Sequence, residues 1–185
     1  RVASPDAPGA QVTLVAGPVH LATPRGVNRI DVVSAREMHE VTVESAQAAH
    51  VFIATAAVAD WRPAVEAEHK IKKDGSGAVP ELAFVENPDI LSEVAHGQRA
   101  QAGELYCVGF AAESQDLVAN AQAKRARKGV PLLVGNLGPA TFGRDDNALV
   151  LVDDEGVTEL PHASKRRLAQ QLVAEIARRV SGASA

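Results

Sequence analysis

The stretch that decides the fold is residues 105–135, LYCVGFAAESQDLVANAQAKRARKGVPLLVG. Leu105-Tyr-Cys-Val-Gly-Phe110 is an apolar run of strand length, Asp116 to Lys128 reads as a helix, and Leu132-Leu-Val-Gly135 is a second apolar run. Strand, helix and strand joined by short turns imply parallel pairing and a right-handed crossover.

The same alternation holds upstream. Gln11-Val-Thr-Leu-Val-Ala16 is β-branched and stopped by Gly17-Pro18, Ile30-Asp-Val-Val33 reads as a second strand, and His50-Val-Phe-Ile-Ala-Thr55 as a third. Ser34-Ala-Arg-Glu37 has the spacing of a capping box, which predicts a helix to about His50 with Met38, Val41, Ala46 and Ala49 on its apolar face. Lys70-Ile-Lys-Lys73 and Leu82-Ala-Phe-Val85 predict two short strands around a flexible Gly/Ser loop at 74–80. Downstream, Ala148 to Asp153 and Val157 to Pro161 flank Asp154-Glu-Gly156, the signal of an antiparallel hairpin over 148–161. Ser164 can cap a closing helix with Leu168, Leu172 and Ile176 on one face. Residues 1–10, with two prolines and no apolar period, form a lead-in loop. The expectation is one α/β domain over 1–185, a mainly parallel sheet with a small antiparallel appendix.

Composition narrows the function classes. A chain of 185 residues can bury roughly 70% of its unfolded surface, and 46% apolar with 23% charged residues describes a globular protein whose apolar runs are too short to span a bilayer. A net charge of −4 and only 3% aromatic residues argue against nucleic-acid partners, which call for basic surfaces and stacking platforms. Cys107 inside its apolar run reads as a buried, inert thiol, and with no secretory leader pattern the expected compartment is the reducing cytoplasm.

Ligands of open parallel sheets bind beyond the carboxyl ends of the strands. Three segments stand there: Ala56-Ala-Val-Ala-Asp-Trp-Arg-Pro63, Gly109-Phe-Ala-Ala-Glu113 and Asn136-Leu-Gly-Pro139. Their small residues admit a flat ligand, and Asp60 and Glu113 offer acceptors for ribose or base hydrogens; the competing reading is packed turns whose acids cap helices or pair with Arg62. Lys70 and Lys72 share one face of a strand, and Lys124 and Lys128 stand one helical turn apart, so both clusters could meet a phosphate chain or simply complement a helix end and solvent. No GxxxxGK[ST] loop and no complete GxGxxG turn occurs, and the six histidines lack ligand spacing. Asp145-Asp146-Asn147 could hold Mg²⁺, although an Asx-rich turn explains it as well.

Taken in order, seven segments resemble one family: Val12-Thr-Leu-Val-Ala-Gly-Pro-Val19, Ala56-Ala-Val-Ala-Asp-Trp-Arg-Pro63, Lys70-Ile-Lys-Lys73, Asn87-Pro-Asp-Ile90, Val108-Gly-Phe-Ala-Ala-Glu113, Lys124-Arg-Ala-Arg-Lys128 and Asp146-Asn-Ala148. The resemblance is to phosphopantothenate-cysteine ligase, the C-terminal ligase half of the bacterial bifunctional flavoprotein of coenzyme A biosynthesis. It implies a Rossmann-like three-layer sandwich with a mainly parallel sheet plus a small antiparallel dimerisation element. It implies that CTP activates 4'-phosphopantothenate as an acyl-cytidylate, which the amine of L-cysteine then attacks, with Mg²⁺ accompanying the triphosphate. By position, CTP would be bound by Ala54, Thr55, Ala56, Asp60, Lys70, Pro88, Asp89, Ile90, Leu91, Phe110, Lys124 and Lys128, with Lys70 the catalytic lysine of acyl-cytidylate formation. A homodimer is implied, with 148–161 and the strands around 70–85 as its contacts; no nucleic acid, membrane or FMN is implied.

Two departures stand out. Family ligases begin with a further strand, a Gly-Gly-Thr turn and an Asn-x-Ser-Ser-Gly segment, and nothing in RVASPDAPGA matches them. The asparagine of the second step therefore has no counterpart here, and the expectation is a domain without its first strand-helix step and with one strand edge unpaired. Leu137 stands where many members have Asp after Asn136. Two rival readings are a noncatalytic homologue that binds cytidine nucleotide or dimerises with a complete ligase, and an NAD(P)-dependent oxidoreductase, against which the missing glycine fingerprint counts.

Overall fold

A computed structural model describes residues 9–65, 69, 72, 81–113, 115–137 and 143–182. The elements in chain order are β1 (Val12–Ala16), β2 (Val27–Asp31), α1 (Ala35–Ala46), β3 (Val51–Ala54), β4 (Trp61–Pro63), β5 (Phe84–Glu86), α2 (Ile90–His96), α3 (Gln98–Gln101), β6 (Tyr106–Glu113), α4 (Leu117–Lys128), β7 (Leu132–Leu137), β8 (Asp146–Val152), β9 (Val157–Ser164) and α5 (Lys165–Gly182). The central sheet runs β3-β6-β7-β8-β9, with β3, β6 and β7 parallel and β8 and β9 antiparallel. The β6-α4-β7 unit read from 105–135 is present as a parallel crossover.

Three layers result from the alternation of side chains along β6. Cys107 and Ala111 face a core built with Ala46 of α1, Ile90, Val94 and Ala95 of α2, and Ala121 of α4. Val108 points the other way, joining Leu132, Val134, Leu149 and Leu151 against Leu168, Leu172 and Ile176 of α5. The three α5 residues recur every fourth position and bury one stripe of the helix, as a 3.6-residue period requires. Ser164 caps it, its Oγ accepting from the Arg167 amide at 3.3 Å. No helix among the described residues is long and apolar enough to cross a membrane.

Glycine gives close contact where helices press on the sheet. A Cβ on Gly109 would stand 2.8 Å from Leu91 Cδ2 and 2.7 Å from Leu133 Cδ1, and one on Gly135 would stand 3.0 Å from Leu117 Cδ1. These two positions set how closely α2 and α4 approach.

Several expectations need correction. The second strand is Val27–Asp31, not Ile30–Val33; Val32 is buried beyond its end, whereas Val33 is 81% exposed. The capping box is real but shifted by one residue on its return arm: Ser34 Oγ accepts from the Glu37 amide at 3.2 Å, while Glu37 Oε2 accepts from the Val33 amide at 2.7 Å. α1 ends at Ala46 rather than near His50. The strand expected at 82–85 lies at Phe84–Glu86 and pairs with Trp61–Pro63, through Trp61↔Glu86, Arg62↔Val85 and Pro63↔Phe84. Lys70, Lys73 and the loop 74–80 lie outside the described residues, as do 1–8 of the lead-in. The hairpin is no appendix: β8 is hydrogen-bonded to β7, so it extends the main sheet, because the apolar Leu149, Leu151 and Leu160 need a layer to cover them. β1 and β2 form a separate parallel ladder, and among the described residues none joins it to β3.

Candidate functional site

β3 stops where Ala54 pairs with Gly109, while β6 continues through Phe110 to Glu113 beside β7. The loop 55–60 leaves this shortened edge at the carboxyl ends of the parallel strands. Its residues are mostly exposed, Asp60 among them, and Val58 alone packs against the α2-side core.

Asn87 ties this loop to the start of α2. Its backbone amide donates to the Asp60 carbonyl at 2.8 Å, and its Nδ2 donates to the Ala59 carbonyl at 2.9 Å. Arg62 Nη1 donates to Asn87 Oδ1 at 3.1 Å and to the Glu86 carbonyl at 2.5 Å. Asp89 then caps α2, its Oδ1 accepting from the Ser92 amide at 3.1 Å, while its Oδ2 pairs with Lys128 Nζ at the end of α4. Burial works against ionisation of Asp89, but Lys128, the Ser92 amide and the charge of Arg127 outweigh it and hold the carboxyl below its ordinary value. Ile90 is buried and Leu91 meets Gly109, which seats the helix start on β6.

The structure therefore ties the end of the loop that starts at Ala54, Thr55 and Ala56, at Ala59 and Asp60, to Asn87, which Pro88, Asp89, Ile90 and Leu91 follow, with Lys128 held by Asp89. Lys124 is half-buried one turn before Lys128 on the same side of α4. Phe110 is separated from this group: it packs with Val108 on the α5 side of the sheet, so a ligand touching both must pass over the carboxyl edge. Lys70 lies outside the described residues. The basic run of α4 divides by role. Arg125 donates to the carbonyls of Val130 and Pro131 at 3.3 Å each and pairs with Asp154, a structural use, whereas Lys128 is turned to Asp89 at the start of α2.

The alternatives weighed from sequence resolve unevenly. Arg62 binds Asn87 and the Glu86 carbonyl, and Asp89 is the acid that caps a helix. The sequence reading missed α2, α3 and the Asn87 bridge. Asp89 as a cap with Ile90, Val94 and Ala95 on one face was the available signal. At Asp145-Asp146-Asn147, Asp146 accepts from Arg144 at 2.9 Å and Asn147 Oδ1 accepts from the Ala148 amide at 2.8 Å. Among the described residues no three His, Cys, Asp or Glu side chains gather as a metal cage. A shallow, open concavity among the described residues lies apart, lined by Arg144, Asp145, Asp146, His162, Ala163 and Ser164; Asp146 is already engaged there by Arg144 and by His162 at 3.5 Å.

Residues 3–180 match the family described as DNA/pantothenate metabolism flavoprotein C-terminal domain. The chain belongs to this family. Among curated relatives of this flavoprotein C-terminal domain, it is 45% identical over 168 residues to the coenzyme A biosynthesis bifunctional protein CoaBC of Vibrio cholerae and 44% over 173 residues to that of Haemophilus influenzae. These matches cover 89% and 92% of the chain but 41% and 42% of the relatives, so the chain spans about two fifths of their length. The crystal structure of the C-terminal domain of a coenzyme A biosynthesis bifunctional protein CoaBC superimposes with a TM-score of 0.74 at 28% identity, covering 94% of this chain and 76% of the other. The α/β architecture found here is that of this domain.

Proposed function

We propose that the chain is the CTP-using ligase domain of coenzyme A biosynthesis, which joins 4'-phosphopantothenate to L-cysteine in the cytoplasm. The observation that carries the proposal is the junction at Asn87: it ties the loop ending at Asp60 to the α2 start, whose Asp89 holds Lys128. Small residues at one side admit a base and ribose, and ammonium groups at the other meet phosphate.

In the first step a carboxylate oxygen of 4'-phosphopantothenate attacks the α-phosphorus of CTP, the bond to the β-phosphate oxygen breaks, and pyrophosphate leaves. The charge spreads over the equatorial oxygens, and the cations of Lys124 and Lys128, with that of Lys70, stabilise it. In the second step the cysteine amine attacks the acyl carbonyl, loses a proton, and CMP departs. Neither step asks for a side-chain nucleophile. Cys107 fits that, since its burial pushes the thiol up to about 11 and leaves it a poor thiolate.

Calorimetry with CTP, ATP and GTP tests the nucleotide half. Tighter binding of CTP, weakened about tenfold by Lys124→Ala or Lys128→Ala, supports it, because each charged contact is worth roughly that much. Equal affinity for the three nucleotides, or none, contradicts it. Lys70→Gln is expected to suppress pyrophosphate release while leaving the unfolding midpoint in place; normal release by that variant removes its catalytic role.

The homodimer belongs to the same proposal. Trp61, Pro63, Phe84 and Glu86 share one face of the β4-β5 ladder, where Trp61 and Phe84 are each 58% exposed. Apolar rings of that size in water favour a second copy as cover. Sedimentation should report a dimer that Trp61→Asp with Phe84→Glu converts to monomer.

A further inference from the structure

We propose that Asn87 and Arg62 are positioning residues that hold the loop 55–60 in register with the N-terminus of α2, so that the two segments present one ligand surface. The proposal rests on the nucleotide reading above and adds two residues to it. Neither is assigned a ligand contact.

Every polar group of the Asn87 side chain is committed. Nδ2 donates to the Ala59 carbonyl at 2.9 Å, and Oδ1 accepts from Arg62 Nη1 at 3.1 Å. The guanidinium can only donate, so it fixes the amide with oxygen toward itself and the NH₂ toward Ala59. The Asn87 backbone amide adds a third link, to the Asp60 carbonyl at 2.8 Å. On the far side Pro88, with its ring-fixed φ, leads directly to Asp89, which caps α2 and holds Lys128. A shift at Asn87 is therefore passed to the Lys128 ammonium in one direction and to Asp60 in the other.

Among the described residues little else holds the loop. Thr55, Ala56, Ala57, Ala59 and Asp60 are exposed, and Val58 is the loop residue that packs against the core there. Loss of the bridge should free the loop without disturbing β6 or β7, whose residues Val108, Leu132 and Val134 are fully buried.

Asn87→Asp is the sharp variant: it keeps size and the acceptor facing Arg62, but sets a carboxylate oxygen against the Ala59 carbonyl. Asn87→Asp and Arg62→Ala should each weaken CTP binding about tenfold by calorimetry. The KM for CTP should rise while kcat at saturating CTP stays within about twofold. Amide exchange across 55–60 should accelerate about tenfold with β6 and β7 unchanged. Arg62→Lys keeps the charge and N–H donors but loses the planar guanidinium that fixes their direction, and should fall between wild type and Arg62→Ala. Unchanged CTP affinity in both variants, or faster exchange spread over β6 and β7 with a lowered Tm, overturns the positioning role. If the wild-type protein binds no CTP, the nucleotide reading fails on its own, and exchange decides: local acceleration over 55–60 upholds the positioning role, and unchanged exchange overturns it.

Discussion

Asp89 and Lys128, 39 residues apart in sequence, join two helices through a carboxylate that caps α2 with one oxygen and holds the end of α4 with the other. Both belong to segments that also carry the nucleotide reading. The pair thus links helix packing to the electrostatics of the site.

Because the folded-state pKa of Asp89 is lowered from 3.8, its stabilisation is present above that value and is lost as pH falls through the lower folded one. The carboxylate is about half exposed, so the effect stays below about 1 kcal/mol. Asn at this position keeps the cap but not the charge. In urea denaturation the gap between Asp89→Asn and wild type should therefore hold from about pH 6 to about pH 4 and narrow only below about pH 4; a gap that does not change with pH contradicts the pairing.

Gly109→Ala links the core to the site. The added methyl meets the ends of Leu91 and Leu133, flexible groups that can yield, so the expected cost is about 1–2 kcal/mol rather than misfolding. Leu91 follows directly from the α2 start, and CTP affinity should fall with the shift. A variant destabilised to that extent yet binding CTP like wild type would separate the α2 start from the ligand.

Arg179 anchors α5. Its Nε donates to Asp153 Oδ2 at 2.8 Å and its Nη1 to Glu175 Oε2 at 2.5 Å, with Arg179 and Asp153 side chains only 9% and 13% exposed. Asp153 Oδ1 meanwhile caps the β8-β9 turn through the Glu155 and Gly156 amides. Arg179→Ala leaves that carboxylate buried without its cation, for an expected loss of about 3 kcal/mol in denaturant titrations. A loss under about 0.5 kcal/mol would place the pair with ordinary surface contacts.

Cys107 should be silent toward Ellman's reagent at about pH 8, since burial alone raises its pKa to about 11. One thiol should appear on unfolding. Rapid labelling of the folded protein would contradict its burial.

Local signals were legible where one face is buried and the period is clean. Leu168, Leu172 and Ile176 named the stripe of α5, and 105–135 named a parallel crossover, because burial on both sides of β6 leaves little room for another pattern. The hairpin was legible as a hairpin but not as part of the sheet, since pairing between β7 and β8 is a long-range choice that neither sequence announces. β4 was hidden by being three residues long with Pro63 at its end. The site divides likewise: basic runs and small residues mark candidates, but only the fold shows that Arg125 serves packing, that Lys128 meets Asp89, and that Phe110 faces the α5 side of the sheet.

The activity proposed for this domain is CTP-dependent activation of a pantothenate-derived carboxylate. The most direct measurement is pyrophosphate release from CTP by the full-length protein, with and without 4'-phosphopantothenate and before cysteine is added. Release that requires both CTP and 4'-phosphopantothenate, and that falls away when ATP replaces CTP, is the predicted result. CTP binding with no pyrophosphate release, or release indifferent to 4'-phosphopantothenate, would contradict it.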